Sequence, residues 1–156
     1  ALKPALLIAD EPTTALDVTI QAQVLELIDR IQKEMGMALL LVTHDLAVVA
    51  EVAKRVMVMY CGEIVEEAPV EALYEEPLHP YTSGLMRAMP DIKVGRGERL
   101  YQIPGTVPHP TQRAAGCRFH PRCDQAFEDC RHVHPELIEM GGRTVRCLKY
   151  KGEGGA

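Results

Sequence analysis

Asp10 and Glu11 close the apolar run Leu6-Leu7-Ile8-Ala9 and are followed at once by Pro12. An apolar run ending on two carboxylates and a proline reads as a buried parallel strand whose carboxyl end opens into a functional loop. Adjacent carboxylates at such a tip suit two tasks: one holds the shell of a divalent cation, and the next orients an attacking water. A second set of reactive side chains lies far downstream. Cys117, Cys123, Cys130 and Cys147 give the spacing C-x₅-C-x₆-C-x₁₆-C. Four thiolates suit an iron–sulfur cluster or tetrahedral zinc, although the spacing is not that of the paired C-x₂-C zinc ribbon.

The elements that position the carboxylates follow directly. After Asp17, the residues Val18 to Met35 carry apolar side chains at 20, 24, 27, 28 and 31, the spacing of one helix face. Asp17 is placed as the N-cap and Gly36 as the stop. The helix returns the chain to a second parallel strand, Ala38 to Thr43, in a right-handed crossover. His44 then stands at the tip of that strand, on the same edge as Asp10 and Glu11. Asp45 caps a short helix, and Arg55–Tyr60 and Glu63–Glu67 read as strands joined at Cys61-Gly62. A further helix starts near Pro69.

Read together, Leu-Leu-Ile-Ala-Asp-Glu-Pro-Thr-Thr-Ala-Leu-Asp and the later Leu-Leu-Leu-Val-Thr-His-Asp resemble the Walker B, D-loop and H-loop succession of ABC-transporter ATPases. The resemblance implies an α/β fold class: the carboxyl-terminal part of a P-loop ABC ATPase domain, with parallel strands and a crossover helix, over residues 1–75. It also implies roles in Mg-ATP hydrolysis. Asp10 acts through the Mg²⁺ shell, Glu11 is the catalytic carboxylate, His44 contacts the γ-phosphate, and Asp17 communicates across a dimer interface. No G-x-x-x-x-G-K-[ST] phosphate loop occurs in these residues, nor does the signature motif. The expectation is therefore a fragment of a larger ATPase that is inactive in isolation.

The run Leu78-His79-Pro80-Tyr81 narrows the resemblance to ATPase subunits of dipeptide and oligopeptide importers and their nickel-importing relatives. Physically it is a rigid turn leading into a helix, and it need not touch substrate. Residues 76–156 then form an irregular cysteine-containing extension, punctuated by Gly95, Gly97, Pro104, Gly105, Pro108 and Pro110. A similar four-cysteine tail in those subunits implies a [4Fe-4S] cluster, with zinc the alternative and disulfides third. His120, His132 and His134 lie among the cysteines and receive no role. Cys61 reads as a small core residue.

Composition agrees with this picture. The chain has 156 residues, 47% hydrophobic and 25% charged, with a net charge of −5. That balance gives no reason to expect a nucleic-acid partner. Residues 1–75 hold 13 acidic against 5 basic side chains, whereas residues 113–149 hold 7 basic against 5 acidic, so the two regions differ in character. No apolar run approaches the roughly 18 residues that span a bilayer, and no signal-peptide pattern opens the chain. Without such a signal a cysteine cluster points to metal rather than disulfides.

The resemblance thus implies a peripheral ATPase on the cytoplasmic face of the membrane, importing dipeptides or oligopeptides. Its partners are membrane permease subunits, a second ABC ATPase subunit and, indirectly, an extracytoplasmic solute-binding protein. Three alternatives stand beside it: a nickel-importer ATPase, a soluble ABC ATPase, and a non-enzymatic metal- or cluster-binding module.

Overall fold

A computed structural model describes residues 3–89, 101–109, 111–112 and 114–152. Gly95, Gly97 and Pro110 lie outside these residues. The chain divides into two compact units, Ala1–Glu51 and Val52–Ala156.

In the first unit, β1 (Leu6–Asp10) pairs in parallel with β2 (Ala38–Val42), Asp10 standing opposite Val42. Between them runs α1 (Val18–Met35). Its start is fixed by Asp17, whose Oδ1 accepts the Ile20 N–H at 2.9 Å. Its end is fixed by Gly36, left-handed at φ 64°, a conformation that costs glycine nothing. Leu25 is buried on the apolar side of the helix. A short helix, α2 (Leu46–Val52), starts on the Asp45 carboxylate, which accepts the Ala47 N–H at 2.9 Å.

The expected burial of the first strand is not found. Residues alternate between exposed and half-buried along both strands, and Ile8 is 61% exposed. The sheet of this unit has two strands, and two strands offer too little surface to cover both faces of an apolar run.

The second unit is built on a four-stranded sheet in the order β3-β4-β6-β5, in which every described pair is antiparallel. The hairpin of β3 (Arg55–Tyr60) and β4 (Glu63–Pro69) turns at Cys61 and Gly62. Both turn residues are left-handed, φ 48° and 79°, as a two-residue hairpin turn requires. Strand β4 runs to Pro69, and α3 (Val70–Glu75) begins on the next residue. A second short hairpin, β5 (Ile138–Met140) and β6 (Arg143–Val145), extends the sheet along β4, with Glu66 opposite Val145. The carboxyl-terminal segment is thus anchored in regular structure within long irregular stretches.

One core serves this unit. Val58, Tyr60, Val65, Ala68 and Leu73 gather around Phe119, which comes from the cysteine-bearing segment. Tyr60 and Tyr81 ring centroids lie 4.7 Å apart, and the Tyr60 and Phe119 rings meet edge-on at 5.2 Å, a favoured aromatic geometry. Cys61 packs at the margin of this core from its turn. Arg122 ties down the stretch after residue 100: its Nε donates to the Pro104 carbonyl at 2.8 Å.

Candidate functional site

The parallel register carries the two strand tips forward together. The Glu11 N–H donates to the Val42 carbonyl at 2.8 Å, extending the ladder one residue past Asp10. His44 follows two residues after Val42, and its Nδ1 lies 3.0 Å from Glu11 Oε1. A carboxylate only accepts, so the proton belongs on Nδ1 and that N–H donates. The second oxygen, Oε2, accepts the Thr14 hydroxyl at 2.8 Å. Glu11 is therefore held from both sides. The Thr14 and His44 hydrogen bonds, in that order, stabilise the charged form and hold its carboxyl below the usual range.

The loop that presents this group is tightly wound. The Thr14 N–H donates to the Glu11 carbonyl at 3.1 Å and the Leu16 N–H to the Thr13 carbonyl at 3.2 Å, while Thr13 is buried. Glu11 and Ala15 adopt left-handed φ values of 44° and 64° without being glycine. Such backbone is costly, of order 1 kcal/mol or more per residue, and collects at functional loops. Asp10 is exposed at the end of β1. Asp17 serves as the α1 cap through Oδ1, while its carbonyl accepts the Gln21 N–H. Thus Glu11 and His44 are brought into direct contact, with Asp10 adjacent in sequence and Asp17 at the far end of the same loop. Thr14 shows no chemistry in its sequence context, although its position three residues after Glu11 is the spacing of a side chain folded back across a turn.

The cysteines converge in the second unit. All four face a cavity of about 210 Å³ whose wall also includes His79, Pro80, Phe119 and His120. They are free thiols, as is Cys61. Burial raises the Cys117 and Cys147 thiols and pushes Cys123 up to about 11. Against this, backbone N–H groups two residues on point at three of the sulfurs: Phe119 toward Cys117, Gln125 toward Cys123 and Lys149 toward Cys147. Among the described residues, no group of three or more His, Cys, Asp or Glu side chains is placed to hold a single metal ion.

Two interactions shape this cavity. Gly116 lies so close to the Cys130–Arg131 backbone that an added Cβ would sit 2.7 Å from the Arg131 carbonyl carbon. The Cys117 N–H correspondingly donates to the Cys130 carbonyl at 2.9 Å. His79, also part of the wall, caps α4 (Pro80–Ala88), its Nδ1 accepting the Tyr81 N–H at 3.0 Å. Burial drives the His79 pKa down to about 4, so the ring is neutral. The His-Pro-Tyr run is thus a helix entry packed against the cysteine segment, consistent with its expected architectural role.

His134 and Arg118 share the Glu63 carboxylate, at 3.2 and 3.0 Å, and His120 Nδ1 lies 2.9 Å from the Cys117 carbonyl. His132 stands at the surface 3.3 Å from Glu128.

The fold is that of a mixed α/β protein, with a carboxylate–histidine edge in one unit and a thiol-lined cavity in the other. Residues 65–130 match the family described as the oligopeptide/dipeptide transporter, C-terminal region. The chain is 55% identical over 152 residues to the oligopeptide transport ATP-binding protein AppD of Bacillus subtilis (strain 168), which covers 97% of this chain and 46% of that protein. It is 52% identical over 147 residues to the dipeptide transport ATP-binding protein DppD of Haemophilus influenzae, covering 94% and 44% respectively. A solved structure of cbiO1 from Clostridium perfringens, described as part of the ABC transporter complex cbiONQ, is 31% identical, with a TM-score of 0.44 over 47% of this chain and 30% of that one. The chain spans somewhat less than half the length of the curated relatives it matches. Over the region it spans, it belongs to the oligopeptide and dipeptide transport ATP-binding family.

Proposed function

We propose that this chain is the carboxyl-terminal part of an ABC ATPase domain with its cysteine-bearing extension, serving a protein that hydrolyses ATP to import peptides. The observation that carries the reading is the Glu11–His44 contact between neighbouring strand tips. In that role Glu11 accepts the proton of the attacking water, and Asp10 would hold the shell of a Mg²⁺ ion, which would supply neutralisation of charge on the phosphates. His44, held against Glu11 through Nδ1, would contact the γ-phosphate and help to position the attacking water. Asp17, at the end of the loop, faces a second ATPase subunit, and the functional division falls between residues 75 and 76.

The protein acts at the cytoplasmic face of the membrane, docked on permease subunits and supplied by an extracytoplasmic binding protein. Among the described residues, no helix is long and apolar enough to cross a membrane. The relatives named for oligopeptide and dipeptide transport favour peptide over nickel as the solute and favour a transporter over a soluble ABC ATPase.

The cysteine cavity belongs to the same proposal. Four thiols around a space of about 210 Å³, with backbone N–H groups aimed at three sulfurs, suit a [4Fe-4S] cluster held by Cys117, Cys123, Cys130 and Cys147. Zinc, with sulfurs about 2.3 Å from one point, is the alternative occupant.

The test of the central reading is Glu11→Gln in the full-length subunit assembled with its transport partners. ATP binding persists and turnover is nearly abolished, because an amide cannot take the proton of water. Normal turnover removes Glu11 from the role.

A further inference from the structure

We infer that Thr14 is a positioning residue for the Glu11 carboxylate, fixing its orientation at the strand tip through the hydroxyl bond to Oε2; this rests on the reading of Glu11 as the catalytic carboxylate. The argument starts from freedom. A glutamate at an exposed tip has three side-chain torsions, the last of them broad, so His44 on Oε1 alone leaves the carboxylate plane able to swing. A second hydrogen bond on the other oxygen removes that swing. The Thr14 hydroxyl supplies it at 2.8 Å, opposite the His44 contact at 3.0 Å.

The hydroxyl is itself well placed to act as a fixed point. The turn from Glu11 to Thr14 is closed by its own backbone bond, the next turn by Leu16 on Thr13, and Thr13 is buried. The left-handed residues Glu11 and Ala15 bracket the pair, so the loop holds a single compact path. Threonine adds stiffness of its own, since branching at Cβ restricts χ1 and with it the direction of Oγ1. Each oxygen of Glu11 keeps a lone pair outside these two bonds, which is where a water proton is received. The hydrogen bond makes the carboxylate a weaker base but a better aimed one.

Valine has nearly the shape of threonine and lacks only the hydroxyl, whereas serine keeps the hydroxyl and loses the methyl. In the full-length subunit with its transport partners, Thr14→Val lowers kcat for ATP by about tenfold to a hundredfold, the range expected for a misplaced reacting group. KM and MgATP affinity stay unchanged, because Thr14 acts on the carboxylate and not on the nucleotide. Thr14→Ser restores turnover. A Thr14→Val subunit with undiminished kcat overturns the inference, as does a raised KM or a Thr14→Ser subunit as slow as the valine variant. Glu11→Gln measured alongside separates the two readings. If it turns over normally, the catalytic reading fails and this inference with it. If it is inactive while Thr14→Val is fully active, only the role of Thr14 fails.

Discussion

The carboxylate of Glu66, fully buried on β4, accepts the backbone N–H of His79 at 2.8 Å. Its other oxygen accepts the Leu78 N–H at 2.9 Å and the Arg143 guanidinium at 3.1 Å. One side chain of the hairpin thereby fixes the entry to α4 and one strand of the second hairpin.

Replacing Glu66 by Ala leaves the Leu78 and His79 amide donors without their acceptor and Arg143 with Glu76 alone among the described residues. Breaking a buried ion pair from one side costs about 3–5 kcal/mol. Denaturant unfolding of the Glu66→Ala chain, followed by tyrosine fluorescence from the second unit, measures this loss. An unchanged midpoint is the contrary result.

His79 makes the second unit sensitive to acid. Its ring is held neutral with a pKa near 4, whereas an unfolded histidine titrates near 6.5. Between those values the unfolded chain binds the extra proton, so stability falls as pH drops from about 6.5 toward 4 and levels off below. The loss attributable to this group is roughly 3 kcal/mol. His79→Asn, which retains a capping acceptor, flattens this part of the pH profile while lowering stability at neutral pH.

Gly116→Ala pushes a methyl group into the Cys130–Arg131 backbone, where no flexible side chain is available to give way. The expected cost is about 1–3 kcal/mol, and it falls on the contact that brings Cys117 beside Cys130. Thiol-reagent kinetics on the reduced chain report it: Cys117 and Cys130 react faster in the variant, with Cys61 unchanged as an internal reference.

The proposed cluster predicts that protein purified without oxygen is brown, contains iron and sulfide, and loses protease resistance in the tail when Cys117, Cys123, Cys130 or Cys147 becomes Ser. Burial raises the Cys117, Cys123 and Cys147 thiols, so loading at these three releases protons and weakens as pH falls. Colourless protein with stoichiometric zinc replaces the cluster by a zinc site.

The first unit was the more legible in sequence because its determinants are local. The cap at Asp17, the stop at Gly36 and the period of the helix between them lie within one stretch, and the two strand runs flank it. The carboxyl-terminal segment resisted for the opposite reason. Ile138–Met140 and Arg143–Val145 are too short to show a period, and they become strands only because β4 offers an edge some 70 residues earlier in the chain. Glu66 was equally hidden. Its two flanking features, Val65 and Glu67, gave no sign of which acidic residue turns inward, since its partners Leu78, His79 and Arg143 are all distant in sequence. The meeting of Glu11 and His44 was readable from strand order, whereas Thr14 needed the loop conformation itself.

The pairing of Glu66 with Val145 also sets a timetable. About 80 residues of chain separate them, and closing a loop of that length costs on the order of 4 kcal/mol in chain entropy before any contact offsets it. At ribosomal rates the hairpin of β3 and β4 emerges roughly 4–16 s before its third strand exists. During that interval the edge of β4 is unpaired, and Met57 and Met59 face solvent as they do in the finished fold. The second unit is therefore a late-closing structure in biosynthesis, with an open strand edge that premature termination before residue 143 would leave permanently exposed.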